Sequence, residues 1–126
     1  MKTRKQERLE DLIKEELGNI LIKVIDDFSS VFITIMRVNI SGDLMNAKVF
    51  YSVLGSSMDK EIAKKLFVKH KSRLRFELGN RIPFRRVPVF FYEYDDINEK
   101  AEYLEKIILN VSQDIKTFEA KEELKN

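Results

Sequence analysis

Apolar residues at Leu9, Leu12, Ile13, Leu17, Ile20, Leu21, Val24 and Phe28 recur at spacings of three and four. That period lays a single stripe along a helix, expected from about residue 3 to 26. Gly18 interrupts the stretch at a cost on the order of 1 kcal/mol, so burial of the stripe must hold the helix. The period then changes. "VFITIMRVNI" and "MNAKVFYSVL" are rich in Val, Ile, Phe, Tyr and Thr and flank Ser41-Gly42-Asp43, the pattern of two strands joined by a short turn. In the second strand Ala47, Val49, Tyr51 and Val53 share one face, and Lys48, Phe50, Ser52 and Leu54 the other. Few polar residues interrupt either face, so helices are expected to cover at least one.

Beyond Gly55, Ser56 and Asp59 stand in the relation of a helix N-cap and its partner three residues on. Ile62, Ala63, Leu66 and Phe67 form a helical stripe that falters over residues 69–72 and resumes in a new phase at Leu74, Leu78 and Ile82. Two helices, or one sharply bent, are therefore expected, ending near Gly79-Asn80 and in any case by Pro83. "VFFYEY", residues 89–94, reads as a third strand. Asp96 and Glu99 resemble a capping box that opens a last helix, in which Ile97, Ala101, Leu104, Ile108, Val111 and Ile115 form an apolar heptad seam. From about residue 118 the chain is expected to fray. The order is α-β-β-α-α-β with an appended α: an α+β layer structure with three strands and helices on one side. It divides into a domain over 1–96 and a helical extension over 97–126 that packs on it or projects from it.

Length and composition narrow the function. The 126 residues suit one domain. No apolar run approaches the ~20 residues of a membrane span, and "MKTRKQERLEDL" has no apolar signal core, so a cytoplasmic protein is expected. The sequence has no cysteine, which removes disulfides and thiolate metal sites and fits a reducing compartment. With one histidine, zinc sites and His-centred triads lack their parts. The four glycines fit neither a phosphate loop nor a dinucleotide fingerprint. No cofactor, no metal and no enzymatic activity are expected; His70 is read as a surface contact rather than a general base.

The net charge of +2 conceals a segregation that changes the picture. Residues 60–86 carry ten Lys/Arg and two acids, a balance of +8, whereas residues 93–126 carry a balance of −5. A basic run at a bend attracts polyanions, and a ridge of Lys and Arg can follow an RNA backbone without reading its sequence. The candidate phosphate contacts are Lys65, Lys69, Lys71, Arg73, Arg75, Arg81, Arg85 and Arg86, with Arg37 and Lys48 weaker. Phe76 and Phe84 interleave with this charge; both are expected in the core rather than as stacking platforms. A second reading is a protein-interaction adaptor that uses the heptad seam of the last helix.

Three local patterns in order resemble the ribosome-binding factor A family of bacterial small-subunit assembly factors. They are the opening "RKQERLEDLIKEELGNIL", with Arg4 and Arg8 ahead of the stripe; "VNISGDLMNAKVFYSVLG", with Val38, Ser41, Asp43, Leu44, Ala47 and Val49; and "RRVPVFFYEYD", with Arg85, Pro88, Tyr92 and Asp95. The resemblance covers about residues 4 to 110. It implies a type II KH-like fold, αββααβ, with an interhelical kink in place of the GxxG loop. Where the family commonly has Ala-x-Gly at the kink, this chain has His70-Lys71-Ser72, and Val89 replaces a usual acid. The resemblance further implies a cytoplasmic, non-enzymatic protein, expected to be monomeric, that binds the immature 30S subunit and its 16S rRNA late in maturation and matters most in the cold.

Overall fold

The first helix forms where the apolar period begins and is closed by its own side chains. In the computed structural model, which describes residues 1–96, α1 spans Arg4–Lys23. Thr3 is its N-cap: the Thr3 hydroxyl accepts from the Gln6 N–H, and the Gln6 side chain accepts from the Thr3 N–H. Leu9, Ile13, Leu17, Ile20 and Leu21 are buried along one face. At about 2 kcal/mol each, that burial outweighs the Gly18 cost several-fold. The helix ends three residues earlier than the stripe suggests, because the chain leaves it at Val24 and passes through Ile25 into a 3₁₀ turn over Asp26–Ser30, with Ile25 and Phe28 buried.

Strands β1 (Phe32–Ile40) and β2 (Asn46–Leu54) pair antiparallel, and β3 (Val89–Tyr94) joins the other edge of β2 in parallel, giving the order β1-β2-β3. The register slips between Ile35 and Arg37, which makes Met36 a bulge. Parity therefore reverses along β1: Ile33 and Ile35 point inward before the bulge, Val38 and Ile40 after it. In β2 the alternation is unbroken, with Ala47, Val49, Tyr51 and Val53 buried beneath the helices as expected. On the opposite face Phe32 and Leu54 are paired across the strands and each 75% exposed.

Helices α2 (Ser57–Lys69) and α3 (Lys71–Arg81) complete the layer. Ser56 and Asp59 form the expected reciprocal cap. Ala63 and Phe67 of α2 and Leu74 and Leu78 of α3 close the core. Phe67 stacks on Tyr92 at 4.6 Å between ring centres. Burial pushes the Tyr92 phenol far above its ordinary range, and its hydroxyl finds no partner among the described residues. The observed order is the expected αββααβ. Glu99, the expected capping-box partner of Asp96, lies outside the described residues, as do the heptad seam, the adaptor surface built on it and the 97–126 extension.

Candidate nucleic-acid interface

The break between α2 and α3 falls at one residue, His70, with φ −100° and ψ 15°. Its N–H still donates to Leu66 O at 2.9 Å, and its carbonyl accepts from Leu74 N–H at 2.8 Å, so His70 closes the last turn of one helix and opens the first turn of the next. The side chain makes its surface contact within the chain. It is only 14% exposed, packs on Phe28 at 5.6 Å, and its Nε2 lies 2.7 Å from Asp27 Oδ2. An ionised carboxylate only accepts, so Nε2 donates here. Lys69 Nζ reaches the same oxygen at 3.2 Å. These bonds, His70 first, hold the Asp27 carboxyl below its ordinary pKa. The kink is thus tied to the 3₁₀ turn, a pairing across more than forty residues of chain that local spacing does not reveal.

The ten candidate cations do not form one edge. Arg73 reaches Val24 O at the C-terminal end of α1, at 3.4 Å, whereas Arg85 and Arg86 share a cleft with Lys5 in its first turn. A helix of this length spans roughly 30 Å. The basic stretch therefore separates into a group at the kink and a group at the far end. Between them Arg81 lies 3.9 Å from Glu16 and 3.6 Å from Glu77.

Arg75 serves the fold. Its Nε donates to Pro88 O at 3.1 Å and its Nη2 to Val87 O at 2.8 Å, so it ties α3 to the segment entering β3. Gly79 assists, since a Cβ there would meet Val87 Cγ2 at 3.0 Å. Arg37, turned outward by the bulge, lies over the Phe50 ring at 3.9 Å and 3.7 Å from Asp95. Lys48 lies 3.6 Å from Glu93 on the same face. Lys65, Lys71, Arg85 and Arg86 remain exposed, with no acid partner among the described residues.

Phe84 is half-buried against the core, as expected, and meets Phe90 edge-on at 6.3 Å. Phe76 is not core: it is 64% exposed, and lines a groove of about 510 Å³ along α3 with Ser72, Gly79, Asn80 and Val87. Its position follows from the new helical phase, which turns Leu74 and Leu78 inward and leaves residue 76 between them facing out. Phe76, an aromatic platform beside the kink cations, is the site feature that sequence reasoning placed wrongly. Among the described residues no group of His, Asp and Glu could hold a metal ion, and no helix is long and apolar enough to cross a membrane.

The profile of the ribosome-binding factor A family matches residues 5–108. Ribosome-binding factor A of Natranaerobius thermophilus is 32% identical over 112 residues, which cover 87% of this chain and 86% of that one. The crystal structure of ribosome-binding factor A from Thermus thermophilus superposes with a TM-score of 0.58 at 21% identity, covering 71% of this chain and 94% of that chain. A homology model of the T. thermophilus factor, fitted into a cryo-EM map of its complex with the 30S subunit, gives 0.55 at 21% identity and covers 75% and 96%. The chain belongs to the ribosome-binding factor A family.

Proposed function

We propose that this member of the family docks on the immature 30S ribosomal subunit late in its maturation and contacts 16S rRNA through phosphate-binding cations, without catalysing a reaction. It acts as a cytoplasmic monomer, and the need for it is greatest in the cold, where misfolded RNA escapes slowly. The observation that carries the RNA contact is the pair Lys65 and Lys71, exposed on either side of the α2–α3 break and unopposed by acids among the described residues. The groove along α3 begins at the same break, and its exposed Phe76 supplies an aromatic face on which a base can stack. Membership of a family whose T. thermophilus relative was fitted into a 30S complex supports the choice of ribosome over free RNA.

The test is co-sedimentation with small subunits, large subunits and free rRNA at two salt concentrations. Retention is expected on small subunits and weakens with salt. In the Lys65→Glu, Lys71→Glu double variant, affinity should fall at least about tenfold while thermal stability is unchanged, because both residues are solvated and uninvolved in packing. Undiminished affinity in that folded variant would remove both residues from the contact.

A further inference from the structure

The far end of the molecule holds a second concavity. The first turn of α1, the turn between β1 and β2, and the 82–88 connection enclose a cleft of about 520 Å³. This lies within the ~300–1,000 Å³ typical of small-ligand sites. Its wall is apolar where Leu9, Leu44 and Phe84 meet, and its rim is basic with Lys5, Arg85 and Arg86. None of the three cations has an acid partner among the described residues. The one carboxylate, Asp43, is half committed: its Oδ1 accepts from the Ser41 hydroxyl at 2.6 Å and from Met45 N–H at 3.0 Å, which leaves Oδ2 available. The walls are fixed rather than adaptable. Phe84 is held by Phe90, Arg75 anchors the connection at Val87 and Pro88, and the turn holds Leu44 at φ +63°. A leucine in left-handed conformation is uncommon, and the Leu44 N–H bond to Ser41 O at 2.9 Å maintains it.

Each part answers one part of a nucleotide. Two arginines and a lysine suit a phosphate, an aromatic and aliphatic wall suits a base, and an uncommitted carboxylate oxygen suits a ribose hydroxyl. A bare anion would use only the rim and would be repelled by Asp43. We propose that this cleft is a ribonucleotide site, with the base against Phe84 and Leu44, the phosphate among Lys5, Arg85 and Arg86, and the ribose hydroxyl on Asp43 Oδ2. The inference rests on the RNA-docking reading only in making an unpaired nucleotide of an RNA strand the natural occupant. The cleft and the kink lie at opposite ends of α1, so the two can fail separately.

The experiment is an NMR titration of the full chain with adenosine 5′-monophosphate, its 2′-deoxy analogue, inorganic phosphate and a four-residue oligoribonucleotide. The amides of Lys5, Leu44, Met45, Phe84, Arg85 and Arg86 should shift with the ribonucleotide, and those of Ser72 to Asn80 should not. The Arg85→Glu, Arg86→Glu variant should weaken binding at least about tenfold. The deoxy analogue should bind about fivefold more weakly, and Asp43→Asn, which keeps a carbonyl for Ser41 and Met45, should erase that difference. Tighter binding of the oligonucleotide than of the monomer identifies an RNA strand as the source; the reverse identifies a free nucleotide, and both uphold the site. No shift at millimolar ribonucleotide, or equal binding of inorganic phosphate, overturns it. Failure of the cleft with small-subunit retention intact overturns this proposal alone. Loss of retention with the cleft still loading overturns only the docking reading.

Discussion

Gly55 shows how much a single residue carries. It adopts φ +145°, where L side chains are strained, and a Cβ there would lie 2.2 Å from Asp59 Oδ2. That oxygen is the one that caps α2, accepting from Ser56 N–H at 2.8 Å. Gly55→Ala must therefore strain the backbone and displace the cap together. The expected cost is about 2 kcal/mol, read as a lower midpoint in denaturant unfolding with an unchanged slope. An Asp59→Ala background should relieve part of it, because the obstructing oxygen is gone; an equal loss in both backgrounds would show that the backbone angle alone is responsible. Tyr92 makes the contrasting case at the same scale. Its ring is held by stacking on Phe67, whereas its hydroxyl contributes no bond among the described residues.

Among the elements, the α2–α3 kink depends on a carboxylate supplied from elsewhere. Asp27 accepts from His70 and Lys69, and its pKa is lowered first by the His70 bond. A carboxyl depressed in the folded state contributes stability above its unfolded pKa of about 3.9, and loses it as pH falls through the lower folded value. The clamp should hold at pH 5 and release below about pH 4. Following the His70 and Lys71 amides by NMR should show a transition with its midpoint below about 3.9, absent in Asp27→Asn; a midpoint at or above that value would mean that the clamp does not form in solution. This element also marks where sequence is legible. The break itself was visible, because Leu74 and Leu78 resume out of phase with Ala63 and Phe67. Its partner was not, since no local period links residue 27 to residue 70. The β1 bulge was hidden for a different reason: "FITIMRVNI" is apolar enough on both faces that a one-residue slip leaves no mark in the pattern. The cap of α2, by contrast, is written plainly in Ser56 and Asp59 and needs only the capping-box rule.

At the scale of the whole molecule, the counted charge overstates the charge offered to RNA. The ten candidate cations are divided by the fold. Lys69, Arg81, Arg37 and Lys48 face acids, and Arg73 and Arg75 donate to main-chain carbonyls. Sequence shows the +8 of residues 60–86, but the acids that oppose it at positions 16 and 27, like those at 93 and 95 that face Lys48 and Arg37, come from other elements, and only folding brings them near. Lys65, Lys71, Arg85 and Arg86 remain, with Lys5 a fifth at the far end. Each phosphate neutralised releases counterions and adds roughly −0.7 to −0.9 to the log–log dependence of affinity on salt. Four or five contacts predict a slope of about −3 to −4.5, whereas all ten would give about −7 to −9. Filter binding of a 16S rRNA fragment across salt concentrations measures it directly. A slope near about −3 means that the internal acids keep their cations in the complex, so the surface is preorganised and few charges set the affinity. A slope steeper than about −7 would mean that the phosphates displace the acids as well, which the exposed pairs Lys69–Asp27 and Lys48–Glu93, worth about 1 kcal/mol or less, would permit, and that the protein meets its RNA as an undivided basic face.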